Sequence, residues 1–179
     1  MRGMRTSIGL CVLALAIPAH GDSSSPDRDV APPQLQADLG LSVVLLGYER
    51  PITDHVAVAV GGGIFGTYFL PWFDRGEDVI GLGIGARATW YARTDGHGLY
   101  VAPYVRGVGV RGERDGMSGT GFGFTTGAFV GWAFGLTRRL DLRAGIGAQY
   151  IRTSFHVTAG DIQTSTPLVA LDLVLGYRL

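Results

Sequence analysis

Toward the end of the chain, from Thr166 to Leu179, every second residue is apolar: Leu171, Leu173, Leu175, Tyr177 and Leu179. The residues between them are Ala170, Asp172, Val174, Gly176 and Arg178, small, polar or charged apart from one Val. A period of two puts the first set on one face of a strand and the second on the other. An apolar face backed by Arg and Asp fits a strand with lipid outside and a tight polar lumen inside better than it fits an ordinary edge strand.

The same alternation recurs upstream. Leu35 to Tyr48 sets Leu39, Leu41, Val43 and Leu45 against Asp38, Gly40, Ser42 and Tyr48. His55 to Leu70 sets Val56, Val58, Val60, Ile64 and Tyr68 against Ala57, Ala59, Gly61 and Gly63. In Val79 to Arg93, Ile80, Leu82, Ile84, Ala86, Ala88 and Trp90 oppose Gly81, Gly83, Gly85, Arg87, Thr89 and Tyr91. In Leu99 to Arg111, Leu99, Val101, Pro103 and Val105 oppose Tyr100, Ala102, Tyr104 and Arg106. Thr120 to Leu136 carries Phe122, Phe124, Ala128, Val130, Trp132 and Phe134 against five glycines. Leu140 to Ser154 carries Leu140, Leu142, Ala144, Ile146, Ala148 and Tyr150 against Asp141, Arg143, Gly145, Gly147 and Gln149.

These runs exceed the usual strand of about 5–6 residues and suit tilted membrane strands, which need about 9–11. Short connections at 49–54, 94–98 and 137–139 alternate with long ones at 71–78, 112–119 and 155–166. Outer-membrane barrels have short periplasmic turns and longer outward loops. The division gives seven strands, whereas bacterial single-chain barrels have an even number. Either an irregular eighth strand forms in residues 22–34, despite Pro26, Pro32 and Pro33, or the division is off by one.

Composition agrees. Charged residues are 17% against roughly 25% in average soluble domains, and 29 of 179 residues are Gly with no collagen period. Residues 1–21 read as a secretory signal peptide, with Arg2 and Arg5, the apolar run Ser7 to Ile17, and Ala19-His20-Gly21 before a cut at Asp22. Residues 22–34 read as a flexible leader, and 35–179 as one domain. Removing Arg2 and Arg5 takes the formal charge from 0 to −2, and there is no Lys and no basic stripe, so nucleic acid is not an expected partner. The one cysteine, Cys11, leaves with the signal, which excludes disulfides and thiol chemistry in the mature chain.

The C-terminal alternation, with its aromatic residue third from the end, resembles the terminal signature of bacterial outer-membrane β-barrels. Leu46-Gly47-Tyr48-Glu49-Arg50 with Thr53-Asp54 resembles the strand–turn–strand of the small eight-stranded opacity/OmpA-like group. The resemblance implies an all-β, antiparallel, up-and-down transmembrane barrel of eight strands in a Gram-negative outer membrane. It implies that Leu171, Leu173, Leu175, Tyr177 and Leu179 serve as the signal to the barrel-assembly machinery. Outer-membrane lipid and lipopolysaccharide are the other expected partners, and the barrel is expected to be a monomer.

The inward sets carry Asp38, Arg87, Arg106, Asp141, Arg143 and Asp172, three acids and three bases. Eight strands enclose just enough room for side chains, and buried opposite charges should pair there, so the expectation is a plugged, salt-bridged lumen and not a pore. Tyr68, Trp72, Phe73, Trp90, Trp132, Phe134, Tyr150 and Tyr177 fall near strand ends, as interfacial girdles do.

No catalytic or metal site and no cofactor is expected. Ser154, His156, Thr158 and Asp161 supply residue types used for acyl transfer, but the lipid A deacylases, which they distantly resemble, carry His-x-Ser where this chain has His156-Val157-Thr158. His55, His97 and His156 lie in separate connections. Asp74, Glu77 and Asp78 lack the ligand count of a closed Ca²⁺ site. Gly61-Gly62-Gly63 follows a strand but opens no helix, so it fails as a phosphate cradle. The expected role is structural or loop-mediated. Two rivals stay open: a lipid A-modifying enzyme of the deacylase kind, and a secreted soluble barrel carrying an apolar ligand.

Overall fold

The computed structural model describes residues 31–40, 43–66, 78–114, 117–157 and 160–179. The signal peptide, most of the leader, and Tyr68, Trp72, Phe73, Asp74, Glu77 and Thr158 lie outside them. The described residues form a closed antiparallel barrel in chain order: β1 (Gln34–Gly40), β2 (Val43–Pro51), β3 (Val56–Gly66), β4 (Asp78–Tyr91), β5 (Gly98–Arg114), β6 (Met117–Gly135), β7 (Leu140–Val157) and β8 (Gly160–Arg178).

Closure can be followed through the register. From Tyr177 the ladder runs through Leu35, Tyr48, Val60, Ala86, Val105, Thr126 and Tyr150, and returns to β8 at Pro167. The displacement is ten residues, 177 less 167. Ten residues at ~3.3 Å against eight strand spacings of ~4.8 Å give a tilt of about 40°, within the range of closed barrels.

Of residues 22–34, the first strand takes in Gln34, and the eighth strand has another source. It comes from cutting 35–48 in two: β1 ends at Gly40, β2 begins at Val43, and those residues are direct partners. The cut escapes a parity count for a geometric reason. A connection of two residues places Gly40 and Val43 on one face, so even positions face inward before it and odd positions after it. Val43 and Leu45, expected outside, are therefore buried beside Asp38. Tyr48, expected inside, shares the outer face with Leu35 and Val60.

Two of the expected long loops are also strand. Residues 112–114 and 117–119 extend β5 and β6 to the pair Arg114–Met117, and 155–157 with 160–166 extend β7 and β8 to Val157–Gly160. Polarity there marks where the apolar outer face ends; backbone pairing continues past it. The wall is consequently uneven, with 7 and 9 residues in β1 and β2 but 17 to 19 in β5 through β8. β8 pairs with β7 from Gly160 onward but with β1 only from Val174 to Arg178. Among the described residues nothing pairs with its other side above that point. Pro167, which lacks an N–H, sits in this one-sided stretch, where a strand tolerates it.

Candidate functional site

The barrel's two faces differ as sharply in chemistry as in position. Outside, apolar side chains are exposed on every strand, among them Leu35, Leu46, Val60, Ile84, Val105, Phe122, Ile146 and Leu171. Among the described residues, eight buried or partly buried charges lie inside, four acids (Asp38, Glu49, Asp141, Asp172) and four arginines (Arg87, Arg106, Arg143, Arg178).

The charges form three groups. In the first, Arg87 of β4 crosses to both ends of the sequence: its NH2 lies 2.7 Å from Asp38 Oδ2 on β1 and 2.9 Å from Asp172 Oδ1 on β8. Arg106 NH2 reaches the same Asp38 oxygen at 2.6 Å. Tyr100 Oη donates to Asp172 Oδ2 at 2.6 Å. Aromatic rings support the cations: Arg106 sits 4.4 Å over the Tyr104 ring and Arg87 5.4 Å over Phe129, and those two rings stack at 4.7 Å.

In the second group Arg143 NH1 lies 2.8 Å from Glu49 Oε2 and donates to Tyr91 Oη at 2.6 Å, while Tyr91 Oη donates to Glu49 Oε1 at 3.0 Å. In the third, at the end where the strands are joined by 52–55, 92–97 and 136–139, Arg178 Nε meets Asp141 Oδ2 at 2.6 Å. His97 Nε2 lies 2.6 Å from Arg178 NH2 and 3.2 Å from Asp141 Oδ1. The turn holding His97 is fixed by its own carboxylate: Asp95 accepts from the His97 backbone N–H at 3.0 Å and from Arg93 at 2.7 Å. Partial burial works to raise the Asp95 pKa, but those hydrogen bonds outweigh it and hold the group below its ordinary value.

Small residues make room for this interior. An added Cβ at Gly145 would stand 2.5 Å from Tyr100 Oη, and one at Gly131 2.7 Å from it. A residual cavity of about 40 Å³ lies among Gln36, Asp38, Gly61, Gly85, Arg87 and Arg106. Asp38 is one of the lining residues, and its Oδ1 has no hydrogen-bond partner among the described residues.

All six charges expected inside are thus brought into ion pairs: Asp38, Arg87, Arg106 and Asp172 in the first group, Arg143 in the second, Asp141 in the third. Sequence reasoning missed Glu49, placed in a turn, and His97. It set Arg178 on the inward face of the last strand beside Asp172 but left it out of the charge network. Phe129, also missed, is inward and almost fully buried among the glycines of β6. Of the aromatic set, Trp90, Trp132, Phe134, Tyr150 and Tyr177 are exposed on the outer face, with Trp90 stacked on His55 at 6.3 Å. Leu171, Leu173, Leu175, Tyr177 and Leu179 are exposed there too.

Ser154, His156 and Asp161 do not share one loop. Ser154 and His156 belong to β7, and His156 is the backbone partner of Asp161 on β8. Among the described residues no group of three or more His, Cys, Asp or Glu is placed to hold a metal.

No protein-family profile matches the chain, and no curated protein matches it. Among solved structures it is similar to a major outer membrane protein from Thermus thermophilus, at 18% identity over 82% of this chain and 99% of that one, with a TM-score of 0.43.

Proposed function

We propose that the chain is an integral outer-membrane β-barrel protein with a plugged lumen and a structural or loop-mediated role, and that it is not an enzyme. The observation that carries this reading is the inversion of the two faces. Leu82 and Ile84 are 72% and 74% exposed on the outside, while Glu49, Arg143 and Asp172 are almost fully buried within. A soluble carrier would put its apolar residues inside and its charges outside. A barrel in lipid is stabilised by the arrangement seen, since hydrocarbon solvates the outer face and the closed antiparallel ladder pairs the wall's backbone strand to strand.

The plug follows from the same residues. Four acids and four arginines neutralise one another across a lumen as narrow as eight strands allow, and aromatic rings fill the space beside them. Trp90, Trp132, Phe134, Tyr150 and Tyr177 would form the interfacial girdles, and residues 1–21 would direct export and be removed. The end carrying His97 and Arg178 would face the periplasm, and the tall wall of β5 to β8 would stand toward the cell exterior.

Gel mobility of the membrane-fraction protein with and without boiling tests the reading. A heat-dependent shift in outer-membrane fractions is the expected result. A protein soluble in the periplasm that runs identically either way would overturn it.

A further inference from the structure

The connection between β4 and β5 makes its contacts across the lumen. Gly96 and Gly98, with φ of +77° and +81°, take the left-handed conformation that other residues resist, and they set His97 between them. The His97 ring meets Asp141 on β7 and Arg178 on β8, neither of which neighbours β4 or β5. Arg178 NH2 also donates to the Asp95 carbonyl oxygen at 3.3 Å. On β6, Gly135 leaves room for the ring: an added Cβ there would stand 2.8 Å from His97 Nε2.

Both ring contacts converge on one nitrogen. Nε2 lies 2.6 Å from Arg178 NH2 and 3.2 Å from Asp141 Oδ1. A guanidinium only donates hydrogen bonds, and an ionised carboxylate only accepts them. Nε2 therefore satisfies Arg178 as a bare lone pair and Asp141 only when it carries a hydrogen. No single protonation state serves both. With Nε2 bare, the proton of the neutral ring sits on Nδ1, which lies 3.4 Å from Asp95 Oδ2.

We propose that His97 is a proton-operated latch at this end of the barrel. Neutral, it accepts from Arg178 and ties the turn to β8. Protonated, it releases Arg178 NH2 and donates to Asp141 Oδ1, which ties the turn to β7. Both states keep the fold, because Arg178 Nε stays on Asp141 Oδ2 at 2.6 Å and Asp95 holds the His97 backbone N–H. Asp95 remains ionised where imidazoles titrate, since its hydrogen bonds keep it below the ordinary carboxylate value. Among the described residues, the charged groups around the ring are Asp95 and Arg93 of its own turn, Asp141 of β7 and Arg178 of β8. Ahead of β1, Ala31 packs against Gly96 and is uncharged, and after β6 the Arg139 guanidinium is turned to Tyr177 Oη at 3.1 Å. Two acids and two arginines balance, so no net local charge fixes the ring in either state.

The test is nitrogen-15 NMR of the full folded chain in detergent micelles, titrated from about pH 8 to about pH 5, the range in which histidine changes charge. At the upper end the His97 ring is expected to carry its single proton on Nδ1, and the Arg178 NH2 proton facing it to exchange slowly with water. As the ring takes its second proton, that slow exchange is expected to be lost with the same midpoint. His55 and His156 titrate as well, so His97→Gln separates their effects: in this variant Arg178 exchange is expected to be independent of pH over the range. A ring proton on Nε2 at the upper end would overturn the latch. So would Arg178 exchange that ignores the His97 midpoint, or that still changes with pH in His97→Gln. The first two readouts need only the native chain, so they decide the matter even if the variant fails to fold.

Discussion

Arg143 on β7 and Glu49 on β2 lie 94 positions apart in the chain and 2.8 Å apart in the barrel, their side chains only 4% and 2% exposed. The two strands are not neighbours, so the pair spans the lumen. Withdrawing one partner leaves the other charge buried without compensation, which costs about 3–5 kcal/mol, whereas replacing both by apolar groups of similar volume is often close to neutral. Glu49→Leu and Arg143→Met are each expected to lower the denaturant midpoint of the barrel in detergent, and the double variant to recover most of the loss. Additive losses would show that the pair is not coupled.

That pair also shows how far the sequence could be read. Parity alone places Arg143 inside, because β7 alternates without interruption from Leu140 onward. Glu49 lies beyond the two-residue connection at 41–42, and there the parity reverses. Leu39, Leu41, Val43 and Leu45 form an unbroken alternation that reads as one strand, and nothing in side-chain type reports the break. The tips of β5 to β8 were hidden for another reason. Where both alternating sets of a hairpin are polar in sequence, composition looks like a loop although the backbone is paired. Phe129 was masked by its neighbours, since a strand rich in inward glycine suggests an interior without large rings.

The proposed plug makes a prediction about passage. Asp38 is the carboxylate shared by Arg87 and Arg106, and Asp172 holds the far side of Arg87. The native barrel is expected to give no steady conductance in a planar bilayer. Asp38→Ala with Arg87→Ala removes a balanced pair of charges from the middle of the lumen and is expected to produce conducting events. Steady conductance by the native protein would contradict the plug.

Tyr100 has no exposed surface, and its hydroxyl donates to Asp172 at 2.6 Å. Gly131 and Gly145 are the residues that let it lie there. At Gly145 an added Cβ would also meet the Val130 carbonyl oxygen at 2.8 Å, and backbone cannot swing aside as a flexible side chain does. Gly145→Ala is expected to destabilise the barrel by about 1–3 kcal/mol, the usual cost of overpacking. Gly109→Ala, whose Cβ meets open space on the outer face, is expected to stay within about 0.5 kcal/mol, as surface substitutions do. Equal effects in denaturant titration would remove the packing argument.

The turn at 92–97 should respond to acid through Asp95. Its folded pKa lies below the ordinary 3.8, so its contribution is present above that value and is lost as pH falls through the lower, folded pKa. The His97 backbone N–H donates to this carboxylate, so its amide resonance is expected to titrate with a midpoint below 3.8. Asp95→Asn should abolish the titration while the rest of the spectrum is retained.

Ile84 offers the sharpest separation of a barrel in lipid from a barrel in water. It is 74% exposed and stands midway along the outward run from Ile80 to Trp90 on β4. In water, an exposed isoleucine exchanged for arginine changes stability by about 0.5 kcal/mol or less. Facing the middle of a bilayer, the same exchange costs about 2–4 kcal/mol, falling toward zero near the interfaces. Ile84→Arg is therefore expected to destabilise the barrel folded into lipid vesicles by that larger amount, and Ile52→Arg, in the exposed turn after β2, by almost nothing. The contrast depends on depth alone, since both positions lie outside the lumen network. If Ile84→Arg were as mild as Ile52→Arg, the apolar outer face would not be solvated by hydrocarbon, and the proposal of a membrane barrel would fall with it.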